Sequence, residues 1–352
     1  MAYQEQINIE GLLSYAIKNK ASDVHISEGD HVAFRVHWHI WKATQAWIFS
    51  REILERLAEQ LFKWDTDKIR QFHTKRDADF AYVAQDWTPF RVNGFFKLWK
   101  MGFVLRMIER DAKEMDALGL PKWLEKILTA KQWLFLITWP TGSGKSTTMV
   151  SILDKINQNR NEHVITIEDP IEFIFSDKKC IFSQREVGRD TDTFISAIRA
   201  AMREDPDIVM VWEMRDKETV EAAMNLAETW HLVFSTLHTS WSVQTINRVI
   251  QFFNPDIQSQ VRVRLADALL GVLSQRLVPK AEWGWRVGIH ELMYITSGIK
   301  NLIKSWDLIQ INNNIEMWSK EWMISMKASA DRLRDQWIVK EEDYIWYFTN
   351  DD

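Results

Sequence analysis

A run of small residues, Thr138-Trp139-Pro140-Thr141-Gly142-Ser143-Gly144-Lys145-Ser146-Thr147, separates an apolar stretch from a helical one. Gly142 and Gly144 let consecutive backbone N–H groups turn inward around phosphate oxygens, at the positive end of the helix that follows. Lys145 is placed to reach the β- and γ-phosphates, and Ser146 to set its hydroxyl on Mg2+. Pro140, Thr141, Gly142, Ser143, Gly144, Lys145, Ser146 and Thr147 are therefore the expected ATP-binding loop. The alternative is a chance loop of small residues, and the strand–loop–helix setting weighs against it. One position departs from the pattern G-x-x-x-x-G-K-[ST]: Trp139 stands where the first glycine belongs.

Two more segments place acids just beyond apolar runs: Val164 to Glu168-Asp169-Pro170-Ile171-Glu172, and Asp207 to Trp212-Glu213. Ligands of an open parallel sheet bind beyond the carboxyl ends of its strands. Glu168 and Glu213 at such ends can polarise an attacking water beside Mg2+ and the γ-phosphate, and with Ser146 they form the expected metal set. Acidic helix capping is the alternative, and it suits Asp169 and Asp205 better. His231 and His238 bracket the run Leu232 to Leu237. His238, at the ligand-facing end, can hydrogen-bond to phosphate or carboxylate; His231 lies at the other end, with a less direct role. This pair alone lacks the further ligands of a zinc site. Arg203 and Arg215 flank the Glu213 strand and can stabilise charge on a phosphoryl group held by a neighbouring subunit. Surface pairing with Glu204 and Asp216 is the competing reading.

These groups need a scaffold. From residue 122 a helix leads to the apolar strand Leu134–Thr138, then the loop, then a helix from Lys145 to Gln158. Apolar strands follow at Val164–Ile167, Ile208–Val211 and Leu232–Ser235, with helical segments at 193–204 and 217–229. Continuous apolar strands alternating with helices predict a parallel sheet covered on both faces. Beyond residue 242 the pattern is mostly helical, with one hairpin around 276–294. The first third reads differently. A helical spacing over 3–20 and an amphipathic helix over 50–64 accompany alternating strands near 22–26, 34–37, 79–83, 90–96 and 103–108, which predicts an α+β unit around an antiparallel sheet. The charged segment 111–121, ending in Pro121, reads as a linker.

The chain has 352 residues, a length that suits about two domains. Lys plus Arg is 44 and Asp plus Glu 49, for a net charge of −5. That near-balance argues against a nucleic-acid coat or a basic membrane-surface protein. Cys180 is the one cysteine, which excludes an intrachain disulfide framework. Apolar runs such as Trp133 to Trp139 are far shorter than the ~20 residues of a membrane span. The expectation is a soluble protein of the reducing cytosol. Glycine is anomalous: there are 12, against about 25 expected at the usual ~7%, and the 19 tryptophans outnumber them. Several tryptophans, among them Trp87 after Asp86 and Trp283 and Trp285 around Gly284, sit where a turn asks for glycine.

Taken in order, these segments resemble the secretion ATPase family, and within it the type IV pilus retraction (twitching motility) ATPases. Asn19 to Ser27 resembles the family's PAS-like opening, and Pro140 to Thr147 its Walker A loop. Ile165 to Glu172 resembles the Asp box, Glu204 to Asp216 Walker B, Ala227 to Thr239 the His box, and Gly298 to Ile303 a short C-terminal retraction motif. The resemblance implies a PAS-like α+β domain over 1–110, the linker at 111–121, and a RecA-like P-loop ATPase domain over 122–352 with a mostly helical part from 242. It implies a homohexameric motor at the cytoplasmic face of the inner membrane, using ATP and Mg2+. Such a motor acts on an inner-membrane platform protein and, indirectly, on pilin, with neither nucleic acid nor membrane insertion. Glu213 becomes the catalytic glutamate, Glu168 its assistant at metal or water, and Arg91 and Arg106 weaker candidates for reaching a neighbour's phosphates.

The family's pattern also has glycine where this chain has Trp38, Trp133, Trp139, Trp212, Trp230 and Trp322, with Trp87, Trp285 and Trp337 as further candidates. One replacement for one residue type at so many sites suggests an opal codon read as glycine. If they are true tryptophans, Trp139 and Trp212 would crowd the site and favour an inactive ring subunit. Other readings stay open: a pilus extension or type II secretion ATPase, whose four-cysteine element is missing here, or an accessory paralogue.

Overall fold

The computed structural model describes residues 9–36, 39–44, 48–108, 110–138, 145–282, 286–318 and 322–349, with backbone alone at 145 and 346–349. It divides into two compact units, Met1–Glu109 and Arg110–Asp352.

The first unit opens with α1 (Ile9–Lys18), which buries Ile9, Leu12, Leu13 and Ala16 along one stripe. Strands β1 (Asp23–Ser27), β2 (Ala33–Val36) and β3 (His39–Lys42) follow, then helices α2 (Arg51–Leu61) and α3 (Thr66–Lys75), then β4 (Asp77–Val83), β5 (Pro89–Lys97) and β6 (Lys100–Met107). The strands form one antiparallel sheet in the order β3-β2-β1-β6-β5-β4. Helix α2 starts where Ser50 can cap it: its Oγ accepts from the Ile53 N–H at 3.4 Å. Phe34, Phe49, Phe72, Phe90 and Phe103 are fully buried and anchor the core.

The second unit begins with residues 110–121. The segment expected to be a linker packs onto this unit: Ala112, Met115 and Leu118 lie against its core and Leu120 is buried. Those apolar residues, spaced among charges, have a surface to cover, and that outweighs the freedom of a linker. A 3-10 turn (Lys122–Leu124) and α4 (Glu125–Thr129) lead to β7 (Trp133–Thr138) and α5 (Lys145–Asn159). Next come β8 (His163–Glu168), β9 (Ile181–Glu186), α6 (Phe194–Ala201), β10 (Ile208–Val211), α7 (Lys217–Glu228) and β11 (Leu232–Leu237). Helices α8 (Ser242–Gln251) and α9 (Pro255–Ala268) precede the hairpin of β12 (Leu269–Pro279) and β13 (Arg286–Tyr294). Helices α10 (Ser297–Ser305), α11 (Leu308–Met317), α12 (Met326–Asp335) and α13 (Glu341–Thr349) complete the unit.

Its seven strands run β13-β12-β7-β11-β10-β8-β9, all parallel except β13, which pairs antiparallel with β12. β10 and β11 are buried at every residue, which is why their apolar runs have no alternation. The region after residue 242 is helical apart from the hairpin, which extends the sheet.

Candidate active site

Parallel strands end on one edge, so the segments after β7, β8, β10 and β11 converge. The registers are level there: Val211 pairs with Ile167 on one side and Ser235 on the other, and Leu237 with Thr138. Residues 139–144 and the Lys145 side chain lie outside the described residues, so Pro140, Thr141, Gly142, Ser143 and Gly144 have no structural account. Ser146 and Thr147 are described and half-buried in the first turn of α5. The Ser146 hydroxyl donates to Glu172 Oε2.

Just past β10 the chain is held from both sides. The Trp212 N–H donates to the Ile167 carbonyl at 2.9 Å and the Met214 N–H to the Thr236 carbonyl at 3.2 Å. Trp212 itself is buried in the core of the unit. Glu213, between these anchors, is largely enclosed with both oxygens engaged. His238 Nε2 lies 3.1 Å from Oε1, and Arg215 Nε donates to Oε2 at 2.8 Å. Arg215 also reaches Asp169, Nη1 to Oδ2 at 3.7 Å. Glu213, His238, Arg215 and Asp169 thus form one polar cluster across the ends of β8, β10 and β11.

Glu168 is 2% exposed. Burial pushes its carboxyl up to about 7, offset in part by donors from Thr166 and Gln184 and reinforced by the nearby Glu172 carboxylate. Thr166 Oγ1 donates to Oε1 at 2.6 Å and Gln184 Nε2 donates to the same oxygen at 3.2 Å. A carboxyl set so close to neutrality can hold or release a proton at working pH, as acid–base chemistry requires.

The structure leaves other candidates outside this cluster. His231 precedes β11, at the end opposite His238. Its Nδ1 lies 3.1 Å from the Leu226 carbonyl and 3.2 Å from Thr229 Oγ1, so it closes the end of α7. Arg203 is exposed in the turn between α6 and β10, ahead of the strand whose far end carries Glu213. The pairings weighed for the arginines also differ: Glu204 binds Arg185 at 2.9 Å, and Asp216 caps α7 through the Thr219 N–H at 2.7 Å. In the first unit Arg91 and Arg106 are direct cross-strand partners on β5 and β6. Arg106 donates to Asp23 at 2.8 Å, and Arg91 lies 3.9 Å from Asp79.

Beneath the edge lie groups the sequence did not single out. Thr138 Oγ1 is 3.0 Å from Ser274 Oγ, and Thr245 Oγ1 is 3.4 Å from Thr138 Oγ1 and 2.7 Å from Thr239 Oγ1. One turn into α5, Thr148 Oγ1 donates to Gln275 Oε1 at 2.6 Å, and His290 Nε2 lies 3.2 Å from the same oxygen. These buried bonds fix the base of the loop and the start of α5 to β12, β13 and α8. Glu172 was within reach of sequence reasoning as the third acid after β8. Gln184 and Gln275 were not, because an isolated amide has no motif.

For Mg2+, the donors at this edge are hydroxyl and carboxylate oxygens: Ser146, Glu168, Glu172 and Glu213. That hard set fits the ion. Among the described residues no group of three or more His, Cys, Asp or Glu is spaced to hold a metal by itself. A few protein oxygens completed by nucleotide phosphates and water is the usual arrangement for Mg2+.

The family model described as type II/IV secretion system protein matches residues 4–284. The type IV pilus retraction ATPase PilT of Pseudomonas aeruginosa is 39% identical over 337 residues, covering 96% of each chain. The type IV pilus ATPase PilU of the same organism is 31% identical, covering 96% of this chain and 88% of its own. Among solved structures, the pilus retraction motor PilT with bound ADP superposes with a TM-score of 0.89 at 38% identity, covering 97% of this chain and 96% of that one.

Proposed function

Because the chain belongs to the type II/IV secretion system protein family, as a P-loop ATPase with an N-terminal domain and a RecA-like domain, we propose that it is a motor that powers type IV pilus retraction. The observation that carries the reading is the convergence of Glu213, Glu168 and the first turn of α5 on one sheet edge. In this reading the loop Pro140–Thr147 holds the phosphates of ATP, with Lys145 on the terminal ones. Bound Mg2+ would supply neutralisation of the phosphate charge. Ser146, Glu168 and Glu213 are the residues that would hold it or its waters.

Glu213 orients the attacking water and accepts its proton. To do so it must give up one of its two present partners, and whichever of His238 and Arg215 it releases is then free to report or stabilise the charge that moves. Glu168, carrying a proton near neutrality, can donate a hydrogen bond to that water, and a bound Mg2+ would favour its ionised form. We assign His231 and Arg203 to roles outside this intrachain set, and Arg91 and Arg106 to contacts with a neighbour's phosphates.

The motor acts as a homohexamer at the cytoplasmic face of the inner membrane, where hydrolysis drives domain rotation, against a platform protein and through it pilin. Among the described residues no helix is long and apolar enough to cross a membrane. The test is phosphate release from Mg-ATP by the chain with glycine at 139. Glu213→Gln should lower the rate by roughly 10²–10⁴ while nucleotide binding persists. Equal rates for the two proteins would remove Glu213 from the chemistry. No release by an assembled ring would favour the inactive-subunit reading.

A further inference from the structure

We propose that Trp64, Trp87, Trp99, Trp133, Trp230, Trp306 and Trp337 occupy positions that the native polypeptide fills with glycine, through in-frame UGA codons read as glycine. Among the described residues 12 that are not glycine have positive φ, from 47° at Leu98 to 85° at Trp133, and these seven tryptophans are the majority. At 19 residues in 352, tryptophan would supply fewer than one of the 12 by chance. Nothing in an indole favours the left-handed region. A Cβ is penalised there, and the residues that tolerate it best are glycine, then Asn and Asp.

Their local roles are glycine's roles. Trp306 follows α10 at φ 64°, with its N–H on the Ile303 carbonyl and the Asp307 N–H on Leu302. Trp337 follows α12 at φ 59° in the same pattern, its N–H on Arg334 and the Ile338 N–H on Leu333. This pair of bonds is the helix stop that glycine normally completes. Trp230 ends α7 at φ 70°, and Trp64 lies just beyond α2 at φ 64°. Trp99, with Leu98, is a two-residue turn closed by the Lys97–Lys100 pair, both φ values positive, and glycine is the usual second residue of such a turn. Trp87 follows Asp86 in the turn between β4 and β5 at φ 66°.

Packing offers little compensation at most of these sites: Trp87, Trp99, Trp230 and Trp337 are 72%, 79%, 80% and 87% exposed, with the Arg76 guanidinium 5.4 Å from the Trp99 ring centre. Trp87, Trp133, Trp230 and Trp337 are also places where family resemblance implies glycine. Trp64, Trp99 and Trp306 are marked by the backbone alone. Recoding also accounts for the glycine shortage, and it returns glycine to position 139, the first place of the phosphate-loop pattern. The inference stands on backbone geometry and composition, independently of the motor reading.

Peptide mass spectrometry of the protein isolated from its source cells, read beside its gene, tests it. The expected result is glycine at 64, 87, 99, 133, 230, 306 and 337, each encoded by UGA, with tryptophan encoded by UGG at 123, where the backbone is right-handed. Tryptophan in those seven peptides, whether from UGG or UGA, would overturn it. In the recombinant chain as written, Trp230→Gly and Trp337→Gly should each raise Tm by about 2–4 °C, while Trp123→Gly lowers it. A fall in Tm for both of the first two would contradict the backbone argument.

Discussion

At the scale of single residues, Glu168 shows how burial, with a neighbouring carboxylate, moves a carboxyl away from its ordinary value. Removal from water disfavours its ionised form, and two donors to one oxygen recover only part of that cost. Its carboxyl rises from the ordinary 4.5 to about 7, so the folded state keeps a proton that the unfolded chain has already released. Its contribution to stability therefore falls as pH rises from about 4.5 through 7, and the deficit is complete above that window. Glu168→Gln, neutral at every pH, should lack this decline. Urea midpoints across pH 4.5–8 check it: the variant's advantage should grow with pH, and parallel curves would mean that Glu168 ionises normally. Glu168, Glu213 and His238 were legible because acids and a histidine directly after apolar runs must emerge at a strand end. Glu172 was visible as a further acid after β8, but its contact with Ser146 needed the fold, since it joins residues 26 apart in sequence.

At the scale of elements, legibility followed apolar content. Strands β7, β8, β10 and β11 were evident because both faces are covered and nearly every residue is apolar. β9 reads Ile-Phe-Ser-Gln-Arg-Glu at the sheet edge, and β3 is exposed throughout, so neither has a periodic signature. Helix α3 buries Phe72 alone and is announced mainly by its Asp65 cap. β12 continues α9 without a break, so its first residues carry no turn signal and the hairpin expected from 276 starts at Leu269. The amide of Gln275 ties β12 to α5 and β13. Gln275→Leu would leave the Thr148 hydroxyl and the His290 ring buried without that acceptor, at a cost of about 1–3 kcal/mol. The urea midpoint should drop accordingly, and an unchanged midpoint would show that the bonds are replaced. Left-handed tryptophans act at this scale as well, since each costs roughly 1–2 kcal/mol at an element's end.

At the scale of the whole molecule, two units with separate cores divide the work. The second holds the hydroxyl and carboxylates proposed for nucleotide chemistry; the first presents Arg91 and Arg106 on neighbouring strands of its own sheet. That division was visible in the change from alternating to continuous apolar strands, whereas the packing of 110–121 was hidden by its charges. A ring in which one subunit's arginines meet the next subunit's phosphates is the assembly we propose for a force-generating cycle. All of it presupposes that the loop before α5 binds the terminal phosphates of ATP. The most direct measurement is the Mg-ATP affinity of the chain with glycine at 139, beside its Lys145→Ala variant. Loss of a charged hydrogen bond of about 1.5–3 kcal/mol should weaken binding roughly 10- to 150-fold. Equal affinity, or no binding by either protein, would contradict the account.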